Sequence, residues 1–172
     1  ETMLGDTAVA VNPKDQRYKK LVGKNVLLPL VNREIPIISD FLVDLKFGTG
    51  AVKVTPAHDL KDYEISIRHK LKMIQVIGEK GEITTEAPLP YQGLPLLKAR
   101  EKIVEDLKKI SLLEKTEDYQ HRIPTCYRCG ATIEFLPSLQ WFLKMEKLSK
   151  LAEKPVREGK IKIHPKNFEK LY

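Results

Sequence analysis

Residues Phe47 to Asp62 read FGTGAVKVTPAHDLKD, a run that packs a glycine turn, an alternating strand, a proline stop and an acidic helix start into one short piece of chain. Period-two alternation puts Ala51, Lys53 and Thr55 on one face of the strand and Val52 and Val54 on the other. The polar face is then free for a ligand while the valines enter a core. Pro56 ends the strand. Asp59 stands where a helix N-cap belongs, Asp62 follows three residues on, and Tyr63, Ile67 and Leu71 recur at helical spacing. A strand end followed at once by a helix start draws Lys53, Thr55, Asp59 and Asp62 together.

These residues also have a plainer use. Asp59 as N-cap and Asp62 in the first turn both suit the free N–H groups and dipole of a helix start. Gly48 and Gly50 form a G-x-G without the longer dinucleotide fingerprint, which marks a turn. His58 beside two aspartates raises the alternative of a metal-dependent hydrolase at His58, Asp59 and Asp62. The four histidines fall at 58, 69, 121 and 164, so none lies upstream of His58 to supply the first ligand of such a site.

Outward from this stretch, Met3 to Asp6 reads as a helical or turn segment and Ala8 to Val11 as a strand closed by Asn12-Pro13. Between Gly23 and Leu45 the runs VLLPLV and IPIISDFLV, broken by Pro29 and Pro36, suit strands at a barrel rim or sheet edge. Ile74 to Ile77 is a further strand, and Glu79 to Glu82 a turn at Gly81. Leu97, Ile103, Val104, Leu107 and Ile110 recur on one face, which predicts a helix over Lys98 to Lys109 covering one side of a mixed sheet. Cys126-Tyr-Arg-Cys129 is half of a zinc knuckle by spacing, with His121 as the nearest third ligand. Leu139 to Lys154 reads as a helix bearing Trp141, Phe142, Met145, Leu148 and Leu151, ended by Pro155.

With 172 residues the chain can hold one real core and a small appendage. A formal charge of +7 favours an anionic partner, and most of the excess lies from Lys144 to Tyr172, where nine Lys or Arg face four acids. A solvated lysine-rich helix face explains that excess equally well. No stretch approaches the ~18 apolar residues of a membrane span, and two cysteines three apart do not make a disulfide scaffold. The expected setting is cytoplasmic, without a membrane partner, as a monomer. The start at Glu1 without methionine reads as a fragment of something longer.

Several ordered motifs then converge. GTGAVKVTPAHDLKDYEI and ETMLGDTAVAVNPKDQRY, with HRIPTCYRCGATIE and QWFLKM further on, resemble the editing (connective polypeptide) domain inserted in the catalytic domain of valyl-tRNA synthetases, class I aminoacyl-tRNA synthetases. KVTPAHD followed by DYE is closer to the valine enzyme than to its leucine and isoleucine counterparts. The resemblance implies an α+β fold, a mixed β-barrel-like editing domain with flanking helices. Residues 1–120 would form it, and 121–172 the zinc-knuckle half and a helical return toward the catalytic domain. In the family a threonine-rich strand and an Arg-Pro precede the Glu1-Thr2 pair, and their absence here implies a pocket lacking one wall. KMEKLSK at 144–150 only superficially resembles a KMSKS loop and no HIGH motif is present, so the ATP-dependent ligation of valine belongs to the parent enzyme.

What the resemblance implies about activity follows from shape. An apolar pocket rejects threonine in favour of valine only by about a hundredfold, so a second site must hydrolyse the threonyl ester at the 3′ end of tRNA(Val). Asp62 is expected to pair with the α-ammonium group, Asp59 to help with that group or the side-chain hydroxyl, and Lys53 to meet the ester oxygens or terminal ribose. Thr55 would assist hydroxyl recognition, Thr2 reach the pocket, Phe47 supply a wall or a stacking face for adenine, and His58 stand behind them. Catalysis would rest on Asp62, Asp59 and Lys53 positioning a water, since no serine stands in a G-x-S-x-G turn and the cysteines belong to another motif. Editing needs no cofactor, and zinc at Cys126 and Cys129 is expected only where the family's second, upstream cysteine pair completes the site. The partners implied are the tRNA(Val) 3′ end and the remainder of the synthetase; a tRNA-binding appendage without hydrolysis is the other reading.

Overall fold

Strand β1 (Ala8–Val11) sits between β3 (Arg33–Ser39), to which it runs parallel with Val9 opposite Ile37, and β4 (Ala51–Val54), to which it runs antiparallel with Ala8 opposite Val54. Strand β2 (Asn25–Leu28) adds to β3 as an antiparallel neighbour, giving the order β2-β3-β1-β4. The computed structural model describes residues 1–118, 120 and 122–171. The chain divides into two compact units, Glu1–Pro137 and Ser138–Tyr172.

The sheet is open, and this corrects the barrel expected for an editing domain. Closure requires every strand to have two neighbours, whereas β2 and β4 each have one among the described residues. Ile74 to Ile77, expected as a strand, contributes only an isolated bridge from Ile77 to Ile83, beside another from Glu82 to Pro95. Prolines at 88, 90 and 95 offer no N–H to extend that pairing. Pro36 is tolerated inside β3 because the strand pairs with β2 over 33–36 and with β1 over 37–39, so the proline sits where one ladder hands over to the other.

Helix α1 (Leu60–His69) follows β4 after one turn and packs on it through Ile65, which joins Ala8, Ala10, Val43 and Val54 in one buried cluster. Its inward stripe is Asp62, Ile65 and Ser66, while Tyr63 and Ile67 face out. The helix is thus turned about one position from the face that its apolar spacing suggests, and that rotation aims Asp62 at the end of β4. Burying Ile65 contributes roughly 1.5–3 kcal/mol.

Helix α2 (Leu96–Lys109) extends the expected Lys98–Lys109 by two residues and buries Ala99 and Ile103 against Leu4, Val76, Ile77, Ile83 and Tyr91. Leu96 and Leu107 pack beside them; Leu97 and Val104 lie on the outer face instead. The Tyr91 hydroxyl donates to Asp106 at 2.9 Å, tying the preceding 3-10 turn (Leu89–Tyr91) to the helix. Leu4 enters this cluster from a 3-10 turn, Thr2–Gly5. Gly5 is needed there: a Cβ would lie 2.8 Å from the Ile74 carbonyl oxygen and 3.2 Å from the Val76 side chain. That close approach seats the turn and so places Thr2 and Asp6 beside β4.

The second unit holds α3 (Glu146–Arg157) and a 3-10 segment (Lys166–Leu171). The sequence predicts a helix over Leu139 to Lys154 ended by Pro155; α3 begins later and continues through Pro155. Leu139, Trp141, Phe142 and Leu143 are exposed and outside any regular element. Contiguous apolar residues have no helical period, whereas Glu146 opens α3 with an acidic first turn and a 2.8 Å pair to Lys150. Pro155 is so near the end that it removes little of the hydrogen-bond ladder. Among the described residues no helix is long and apolar enough to cross a membrane.

Candidate active site

Gly48 and Gly50 adopt φ of +55° and +77°, the left-handed turn that swings the chain into β4. From that strand Lys53 projects toward solvent while Thr55, just past its end, is buried at 1% exposure. Asp59 caps α1, its Oδ1 accepting the backbone N–H groups of Lys61 at 2.8 Å and Asp62 at 3.1 Å. One turn on, Asp62 Oδ2 accepts the Thr55 backbone N–H at 2.8 Å, a bond that locks the strand end to the helix start.

A cleft of about 570 Å³ opens at this junction. Thr2, Phe47, Lys53, Thr55, Asp59 and Asp62 all line it, and so does His58. Lys53 Nζ donates to Thr55 Oγ1 at 2.7 Å and reaches Thr2 Oγ1 at 3.4 Å. Phe47 lies 63% exposed at the wall, as a free aromatic face rather than a core residue. Leu42, Val43, Val52 and Ile65 supply an apolar lining, with Asp44 and Lys61 adding charge.

Burial, with the charge of Asp59 adding to it, raises the Asp62 carboxyl above the ordinary range against the pull of the Thr55 N–H. Sequence reasoning missed Asp6, which is 2% exposed and lies behind the cleft. The Thr55 hydroxyl donates to Asp6 Oδ1 at 2.5 Å, and Lys53 Nζ stands 3.7 Å from the same oxygen. Burial pushes Asp6 up to about 6 despite Lys53 and Thr55, which favour its charged form. The available signal was a carboxylate directly ahead of an apolar alternating strand, where a buried polar group needs a partner.

His58 has both ring nitrogens engaged. Nε2 lies 3.0 Å from the Val76 backbone N–H and therefore accepts, and Nδ1 lies 3.2 Å from the Phe135 carbonyl and therefore donates. The ring is neutral in this arrangement, and burial lowers its pKa. It has no nitrogen left for a metal or a water. No group of three or more His, Cys, Asp or Glu among the described residues is placed to hold a metal ion.

Cys126 and Cys129 lie on a turn closed by the Thr125 to Thr132 bridge and by a 2.8 Å bond from the Gly130 N–H to the Cys126 carbonyl. Backbone N–H groups of Arg128 and Cys129, with the Cys129 thiol, hold the Cys126 thiol below its ordinary range. Both cysteines are free. Two thiols are half of a tetrahedral zinc site. The third ligand suggested by the sequence, His121, lies outside the described residues. The described set does not make a zinc site.

Residues 7–107 match the family model described as leucyl-tRNA synthetase, editing domain. The chain belongs to this family of aminoacyl-tRNA synthetase editing domains. Its similarity within that class is to valine–tRNA ligases: it is 52% identical to that of Carboxydothermus hydrogenoformans, 53% to that of Petrotoga mobilis and 54% to that of Symbiobacterium thermophilum, each over all 172 residues. The chain spans about a fifth of the length of these relatives, 20%, 20% and 19% respectively.

Proposed function

We propose that this chain is the hydrolytic editing site of a valyl-tRNA synthetase, removing threonine esterified to the 3′-terminal adenosine of tRNA(Val), while the parent enzyme ligates valine using ATP. The observation that carries this reading is the convergence of Thr2, Phe47, Lys53, Thr55, Asp59 and Asp62 on one cleft lined by both apolar and charged side chains. One oxygen of Asp62 is committed to Thr55, and the other is the acceptor for the substrate's α-ammonium group. Asp59 likewise caps α1 with Oδ1 and offers Oδ2 to the ammonium or the threonine hydroxyl. Lys53 stabilises charge on the ester oxygens or holds the ribose. Phe47 stacks on adenine.

Discrimination then has a physical basis. Threonine's hydroxyl finds a polar partner in the Asp59 carboxylate, whereas valine leaves that partner unpaired at a cost of ~1–3 kcal/mol. With His58 engaged by the backbone, the attacking water is positioned by the carboxylates and by the terminal ribose hydroxyl rather than by an imidazole base. The partners are accordingly the tRNA 3′ end and the rest of the synthetase.

The test is single-turnover deacylation by a full-length valine–tRNA ligase containing this segment, with threonyl-tRNA(Val) and valyl-tRNA(Val) compared with and without chelator. The threonyl ester should be hydrolysed at least ~10-fold faster, the scale of one unpaired polar group, and chelator should change nothing. Equal rates would refute the discrimination, and chelator sensitivity would favour a metal hydrolase.

A further inference from the structure

We infer that Asp6 is a positioning residue for this cleft: through the Thr55 hydroxyl it holds the Lys53 ammonium at the cleft wall. A threonine hydroxyl has one hydrogen, and Thr55 gives it to Asp6 Oδ1. The oxygen is then restricted to accepting, and the donor it accepts from is Lys53 Nζ at 2.7 Å. The direction of every link in the chain Asp6, Thr55, Lys53 is thereby set. Lys53 needs such a tether, because its side chain is 49% exposed and an ammonium on four methylenes is otherwise free to swing. Thr55 cannot move to follow it, since the Thr55 N–H is fastened to Asp62. With one N–H directed at Thr55 and another toward Thr2, the ammonium is held at the wall of the cleft that Lys53 lines.

The carboxylate's charge is part of the device. Lys53 from β4, Asp62 from α1 and Arg33 from β3 all act on Asp6. Arg33 spends one Nη2 on the Leu4 and Asp6 carbonyl oxygens, so it braces the backbone and leaves the carboxylate to Thr55 and Lys53. Neutralising Asp6 loosens Lys53 and leaves the rest of the fold in place.

The activity arm of the test rests on the editing reading above; the labelling arm does not. In full-length valine–tRNA ligase containing this segment, acylation of Lys53 by an N-hydroxysuccinimide ester is followed by mass spectrometry in the wild type, in Asp6→Asn and in Thr55→Val, which cuts the same chain at its middle link. Both variants should label Lys53 at least ~3-fold faster, as expected for the loss of about one hydrogen bond's worth of restraint. Labelling within error of wild type in the folded variants overturns the proposal. In threonyl-tRNA(Val) deacylation the wild type should lose rate on acidification through a limb near pH 6, and Asp6→Asn should be roughly tenfold slower at neutral pH, without that limb. A limb that persists in Asp6→Asn also overturns it. Faster labelling in variants of an enzyme that hydrolyses no threonyl ester would keep the tether and refute the editing reading instead.

Discussion

Asp6 and Asp40 are both buried carboxylates facing a cation, at opposite ends of the parallel pair β1 and β3, yet their pKa values are displaced in opposite directions. Asp40 is saturated with donors: Arg68 grips it through Nε and Nη2 at 3.0 Å each, His69 Nε2 stands at 3.0 Å, and the Leu42 N–H donates at 2.9 Å. Burial works against its ionisation, but those donors outweigh it and hold Asp40 below the usual carboxylate range. Asp6 has one hydroxyl donor and an ammonium at 3.7 Å, and burial wins. A buried carboxylate with its full set of donors is a strut joining α1 to the end of β3. One left short of donors stays responsive to what enters the neighbouring cleft.

Substitution separates cleft carboxylates from structural ones, and the largest effect should come at Asp62. Asp62→Asn keeps an oxygen for the Thr55 N–H but removes the charge offered to the substrate. Threonyl-tRNA deacylation should fall by ~10–100-fold with little change in folding, as the loss of a charge-assisted bond implies. An unchanged rate would remove Asp62 from the mechanism. Asp40→Ala should cost about 2 kcal/mol in urea unfolding, short of a fully buried pair because Arg68 is partly exposed, and should leave deacylation per folded molecule unaltered. Its contribution is present above the unfolded carboxylate pKa and disappears on acidification, so variant and wild type should converge in stability at low pH.

His58→Ala comes next. It frees the Val76 N–H and Phe135 carbonyl and should lower stability by about 1–2 kcal/mol, again with deacylation retained. A collapse of rate in folded protein would make His58 a base after all. The smallest effect has the opposite sign. Because the folded state raises Asp6 to about 6, its contribution to stability is fully present below the unfolded pKa and is lost as pH rises through that value. Asp6→Asn should therefore unfold at higher urea at neutral pH, by about 1 kcal/mol, even as editing falls. Destabilisation at neutral pH would place Asp6 with Asp40 among the struts.

What the sequence disclosed follows from separation along the chain. Lys53, Thr55, Asp59 and Asp62 lie within ten residues, so a strand, a proline and a helix cap were enough to bring them together. Asp6 meets Thr55 across 49 positions, through the register of β1 on β4, and no local pattern encodes that register. Thr2 and Phe47 entered the pocket by family resemblance alone. The sheet was legible as mixed, but not as open, because edge strands and barrel strands carry the same alternation. At the other end Trp141 and Phe142 suggested a helix that the exposed 139–145 segment does not form, since apolar content without a period carries no helical face.

The claim that this cleft reads a threonyl ester is tested most directly by a crystal structure of full-length valine–tRNA ligase containing this segment, soaked with a non-hydrolysable threonyl-adenosine amide. The predicted density has the ammonium within hydrogen-bond distance of Asp62, the carbonyl turned toward Lys53 and adenine on Phe47. Analogue bound with its amino acid turned away from Asp62 and Lys53, or a valyl amide bound equally well in the same pose, would contradict it.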